Sequence, residues 1–143
     1  MTLPDVRPVR RVNVVAAALA AALLLAGCAT KPPPTREEIV AQRANARWQA
    51  LMAGDFDKAY GYLTPAARAL KPLAVWRGGF RSFTTWKSAE VVSVTCETSE
   101  KCIVRVDVRH EPVVMRGRLG TISSAVDETW LLDDGQWWFL DPQ

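Results

Sequence analysis

W-L-L-D-D-G-Q-W-W-F, residues 130–139, is the stretch whose reading decides the fold. Asp134-Gly135 is a preferred centre for a two-residue type I′ turn, because that turn needs positive φ at both positions and Asp and Gly tolerate it. Such a turn sets Leu132 opposite Trp137 and Trp130 opposite Phe139. Since side chains alternate along a strand, Trp130, Leu132, Trp137 and Phe139 then share one face. An aromatic block on one face of a hairpin needs a covering layer, and the expectation is a core against a helix, with Trp48 as the contact.

The chain just upstream also alternates with period two, from Trp86 onward. Val92, Val94 and Cys96 fall on one face of a strand, and Cys102, Val104, Val106 and Val108 on one face of the next. If Cys96 sits opposite Cys102, Val94 meets Val104 and Val92 meets Val106. Pairing of the cysteines and burial of the valines thus demand the same register, since a slip of one residue would turn the valines outward. Pro112, Gly117 and Gly120 mark a bend or bulge before the strand that ends at Leu132.

Further upstream the period becomes helical. Thr35 and Glu38 have capping-box spacing, and Ala41, Ala44, Trp48, Leu51 and Met52 recur every three or four residues until Gly54. Arg36, Arg43 and Arg47 fall beside that stripe with Val40 and are expected to be solvated. Asp55 caps a short helix carrying Phe56, Ala59, Tyr60 and Leu63, and Thr64-Pro65 starts another. Residues 73–80 add one or two turns before Gly78-Gly79. Helices followed by a meander of strands predict an α+β fold, with N-terminal helices packed on a curved antiparallel sheet.

The N-terminal segment gives an address. Arg7, Arg10 and Arg11 precede an apolar run of 12 residues, 14–25, and then Ala26-Gly27-Cys28. At ~1.5 Å per residue that run is too short to span a hydrocarbon core, which takes roughly 20 residues. It reads as a signal peptide. L-A-G-C, residues 25–28, resembles the lipobox of bacterial lipoproteins, which implies cleavage before Cys28 and acylation of its thiol. More than one acyl chain anchors a protein stably. Residues 1–27 are thus expected to be removed, 28–35 to be a lipidated, proline-rich tether, and 36–143 to be the domain. Ala29, rather than Asp, after the cysteine implies the periplasmic face of the outer membrane. Pro32-Pro33-Pro34 stiffens the tether, and at ~3.1 Å per residue it reaches only about 20 Å.

The formal charge of +3 is mostly carried by the removable segment, which holds three arginines and Asp5; the remaining 116 residues carry 15 basic and 14 acidic side chains. Near-neutrality argues against a nucleic-acid binder. With Cys28 acylated, Cys96 and Cys102 are left as a pair in an oxidising compartment, where a disulfide forms. One histidine, His110, is too few for a usual zinc set, and no cofactor motif is present.

R-W-Q-A-L-M-A-G-D-F-D-K-A-Y-G-Y-L-T-P-A-A-R, residues 47–68, resembles the opening of the nuclear transport factor 2-like superfamily, and E-T-W-L-L-D-D-G-Q-W-W-F, residues 128–139, resembles its closing hairpin. The resemblance spans about residues 36–141 and implies a cone: a curved sheet around helices with a pocket at its open end. The candidates to line that pocket are His110, Tyr60 and Trp48. An isomerase- or dehydratase-like site would draw on Tyr60, Tyr62, Asp107 and His110. Asp107, however, falls on the face opposite Val106 and Val108 between Arg105 and Arg109, as part of a charge ladder. No catalytic set is assembled. The function expected from sequence is a non-catalytic, membrane-anchored domain binding a small hydrophobic ligand or a cell-envelope protein. The rival readings are an isomerase- or dehydratase-like enzyme using the cone pocket, and an assembly module of an envelope complex that forms a homodimer through the open sheet face.

Overall fold

The computed structural model describes residues 31–80, 86–111 and 120–142. The signal segment, Cys28 and most of the bend expected around Pro112 and Gly117 lie outside the described residues. No helix among the described residues is long and apolar enough to cross a membrane.

From Pro34 onward the chain forms one compact unit. Its first helix, α1, is Arg36–Met52. Thr35 Oγ1 accepts from the Glu38 N–H at 3.2 Å, and Glu38 Oε2 accepts from the Thr35 N–H at 2.8 Å. Both groups would otherwise be free at the helix start. Gly54, at φ +73°, turns the chain away from the helix end in the left-handed region.

Three short helices follow. They are α2 (Phe56–Tyr60), capped by Asp55; α3 (Pro65–Leu70), capped by Thr64 with proline in its first turn; and α4 (Leu73–Gly78), entered through Pro72. Four strands then form one antiparallel sheet in sequence order: β1 (Trp86–Cys96), β2 (Lys101–His110), β3 (Ile122–Asp133) and β4 (Gln136–Phe139). The architecture is α+β, with helices against one face of a four-stranded open sheet.

The β3–β4 turn has Asp134 at φ 49° and Gly135 at φ 73°, and it pairs Leu132 with Trp137 and Trp130 with Phe139. Trp130, Trp137 and Phe139 are buried. Trp130 packs on Phe139 and Tyr62, while Trp48 meets Trp86 instead, with ring centroids 5.4 Å apart.

Cys96 and Cys102 face each other and are disulfide-bonded, and Val94 pairs with Val104. Beyond that the expected register fails by one. An irregularity between Val91 and Ser93 pairs Val91, not Val92, with Val106, and leaves Val92 62% exposed. A bulge inserts one unpaired residue and so inverts the parity of everything before it. Ala89 therefore meets Val108, and after a second irregularity at Lys87, Trp86 meets His110. The two inversions cancel, so Trp86 keeps the inward parity of Val94, and together they set it opposite His110 at the far end of the sheet.

α1 lies over β1 and β2, burying Val40, Ala44 and Leu51 in the core that holds Val104, Val106 and Val108. The link after α2 locks onto the last strand. The Phe139 N–H donates to the Tyr62 carbonyl at 2.8 Å, and the Thr64 N–H to the Phe139 carbonyl at 3.0 Å. That covers the outer edge of β4. Among the described residues no helix packs closely along β3, and Ile122 and Val126 on its inward parity are exposed.

Candidate functional site: an aromatic cleft over a buried ion pair

Two hollows lie at the less covered end of the sheet. One hollow of about 450 Å³ lies between the second half of α1, β3 and the chain after β4, with Trp48, Leu51, Trp86, Val126 and Phe139 among its walls. A second, of about 480 Å³, shares Trp48, Phe80, Trp86, Val126 and Pro142 with the first and reaches His110 and Ser124. The two form one cleft. Its aromatic wall is Phe80, Trp86 and Trp48 in sequence, Phe80 on Trp86 and Trp86 on Trp48, backed by Phe56 and Trp76 behind Phe80, with centroids between 4.6 and 6.0 Å apart. Edge-on and tilted arrangements at such distances add to the burial of the rings themselves.

Beneath the cleft lies an ion pair. Arg47 Nη1 donates to Glu128 Oε1 at 2.6 Å, with the two side chains 5% and 2% exposed. The Trp130 indole N–H donates to the other carboxylate oxygen at 3.1 Å. The Arg47 guanidinium lies over the Phe139 ring, 3.8 Å from its centroid. Burial raises the Glu128 carboxyl above the ordinary glutamate range, against the pull of Arg47 and Trp130. Burial likewise lowers Arg47, opposed by Glu128 and Asp141. Arg47 Nε and Trp48 Nε1 are buried without a hydrogen-bond partner among the described residues.

Sequence reasoning missed this pair, although both halves carried a signal. Arg47 is spaced three, four and seven residues from Ala44, Leu51 and Val40, which puts it on the core stripe. Glu128 has the parity of Val126 and Trp130, so it points inward. The expected solvated arginine face is therefore corrected. Arg47 is buried, Arg43 donates to the Trp137 carbonyl at 2.6 Å beneath Tyr62 and Trp138, and Arg36 alone remains exposed.

Of the three residues expected to line a pocket, Trp48 borders both hollows and His110 borders the second, at the end of β2 between Trp86 and Ile122. Tyr60 borders neither. Its ring packs on Trp76, and its hydroxyl donates to the Lys71 carbonyl at 2.7 Å with the Arg68 carbonyl 3.0 Å away, which ties α2 to the C-terminal end of α3. The hydroxyl is occupied by backbone acceptors that sequence alone does not locate.

Among the described residues no three His, Cys, Asp or Glu side chains converge to hold a metal, at His110 or elsewhere. Asp107 sits on the outer face, hydrogen-bonded by the Ser123 hydroxyl and 4.0 Å from Arg109. The cleft thus offers apolar surface with its charges already paired: Arg47 with Glu128, and Asp141 with Lys71 at 2.7 Å.

No protein-family model matches the chain, and no curated protein matches it in sequence. Solved structures do match. A SEC-C motif-containing protein from Rhodopseudomonas palustris, determined in solution, is 20% identical with a TM-score of 0.51, over 69% of this chain and 73% of that one. A sec-c motif-containing protein from Psychrobacter arcticus, a crystal structure, is 17% identical with a TM-score of 0.59, over 78% of this chain and 63% of that one. At these identities the likeness is one of fold.

It corrects the resemblance drawn from residues 47–68 and 128–139: these structural neighbours are SEC-C motif-containing proteins, a different family from the nuclear transport factor 2-like superfamily. The reason is physical. Those two stretches encode a helix stop, an Asp cap, a Thr-Pro start and a type I′ hairpin, and unrelated α+β domains use the same local devices.

Proposed function

We propose that the chain is a lipid-anchored protein of the bacterial envelope whose domain binds a small, uncharged hydrophobic ligand in the aromatic cleft, without catalysing a reaction. The observation that carries this reading is the cleft lining: tryptophan, phenylalanine, leucine and valine side chains around several hundred cubic ångströms, with the neighbouring charges neutralised by one another. Small-molecule sites typically occupy ~300–1,000 Å³, are mostly apolar and hold a few fixed polar groups. Desolvation of Trp48, Trp86 and Phe80 supplies the affinity, and His110 at the rim orients the guest. A charged ligand would have to displace an existing pair or remain unpaired in an apolar wall, which is costly. The envelope address rests on the order of Arg7, Arg10, Arg11, the apolar run and L-A-G-C.

Native mass spectrometry of the full chain, extracted from membranes in detergent, tests both halves. Acyl mass on Cys28 persists after denaturation, whereas a ligand in the cleft leaves. The expected result is one mass of each kind in the wild type and loss of the second alone in Trp86→Ala. A wild-type protein with no dissociable mass, and none acquired from an envelope lipid extract, would sink the ligand reading.

A further inference from the structure

β3 is longer than the strand that covers its outer edge. β4 pairs with Trp130 through Asp133, and the ladder ends where the Leu140 N–H meets the Thr129 carbonyl at 2.9 Å. In an antiparallel sheet alternate residues aim their N–H and C=O groups at opposite edges. Thr129 aims at the β4 side, so Asp127, Ala125 and Ser123 do as well. Among the described residues nothing takes those backbone groups. The segment Ile-Ser-Ser-Ala-Val, 122–126, holds neither a charge nor a proline, the usual guards of an exposed edge. It also borders the cleft: Ile122 and Val126, on the inward parity, are 44% and 37% exposed.

We propose that this edge pairs with the same edge of a second copy of the chain, antiparallel about Ala125. In that register Ala125 meets its own copy, Ser123 meets Asp127 of the second copy, and each pair exchanges both backbone hydrogen bonds. Charge and strand length select the register. An axis on Asp127 would oppose two carboxylates and claim Thr129, which Leu140 already occupies. An axis on Ser123 would run the pairing past the start of β3 at Ile122. With the axis on Ala125 the one charge in the segment 122–127 faces a serine, and the strand needs no residue beyond its own span. On the inner side Val126 then stands opposite Ser124 of the second copy and diagonal to its Val126, so the second copy adds apolar surface at the exposed flank of the cleft beside Val126. The pairing uses backbone and edge residues alone and holds whether or not the cleft carries a ligand.

The test uses the full chain in detergent micelles. Ala125→Cys places two thiols across the axis, where the Cα atoms of a hydrogen-bonded pair lie about 5.5 Å apart, within disulfide reach. Val75→Cys, at an exposed site on α4, is the control. The expected outcome is a covalent dimer from A125C on mild oxidation and only wild-type background from V75C. By light scattering the wild type has a two-chain protein mass, and Ala125→Lys, which opposes two cations on the axis, has a one-chain mass with unchanged circular dichroism. A one-chain wild type, a two-chain A125K, or cross-linking of A125C no greater than that of V75C overturns the proposal.

Discussion

Asp127 and Glu128 are neighbours in the chain, and each faces an arginine, yet the two pairs sit in different surroundings. Asp127 points outward and lies 3.8 Å from Arg105, with the side chains 56% and 55% exposed. Glu128 points inward and meets Arg47 at 2.6 Å with almost no solvent contact. The outer pair works in high dielectric, so its attraction is screened and close to cancelled by side-chain ordering. The inner pair has left water altogether, and its members depend on each other. What separates them is the alternation of one strand.

The largest effect follows from breaking the inner pair on one side. Arg47→Ala leaves Glu128 buried among indoles without its cation, and the expected loss is roughly 3–5 kcal/mol by denaturant unfolding. Arg47→Met with Glu128→Gln removes both charges while the Gln carbonyl still accepts from Trp130. That double variant should lose distinctly less than Arg47→Ala, because isosteric neutral replacement avoids the unpaired charge. If the double variant is the less stable of the two, the ion pair is a net stabiliser and the comparison has to be redrawn.

The pH dependence sharpens the same point. Burial holds the Glu128 carboxyl above its ordinary value of 4.5, so the folded state keeps that proton to higher pH than the unfolded state does. The stability linked to this group is therefore fully present below the ordinary value and declines as pH rises from there through the raised one, the reverse of a carboxylate depressed by its partner. Thermal unfolding of the wild type between acidic and neutral pH should contain this falling component, and the double variant should lack it. Identical slopes would place Glu128 at its unfolded value.

The smallest effect belongs to the outer pair. Asp127→Ala or Arg105→Ala is expected to change stability by less than about 1 kcal/mol, shrinking further in high salt. A loss as large as that of Arg47→Ala would mean that the outer face of β3 is not free in the native protein.

Much of the fold was legible because its signals are short-range. The Thr35 and Glu38 box, the Asp55 and Thr64 caps, the Asp134-Gly135 turn and the facing cysteines each involve residues within a few positions of one another, and each is formed as read. The valine register failed one strand-length away, since nothing in K-S-A-E-V-V-S-V announces which residue bulges. Of the site, Trp48 and His110 could be picked out as inward-facing, whereas Tyr60 could not be excluded without knowing where the Lys71 and Arg68 carbonyls lie. The family resemblance misled for a related reason, having been built from those same local devices.

By itself the sequence determined the α+β class, the hairpin register at residues 130–139 and the pairing of Cys96 with Cys102, because caps, turns and two-residue alternation act through bonds and neighbours. Only the tertiary structure decided that Arg47 and Glu128 are buried together and that an aromatic cleft remains at one end. It also decided that β4 stops short along β3. Those outcomes depend on which element covers which position, and coverage comes from packing between segments tens of residues apart, where burial, and not local propensity, sets the energy of every charge and edge.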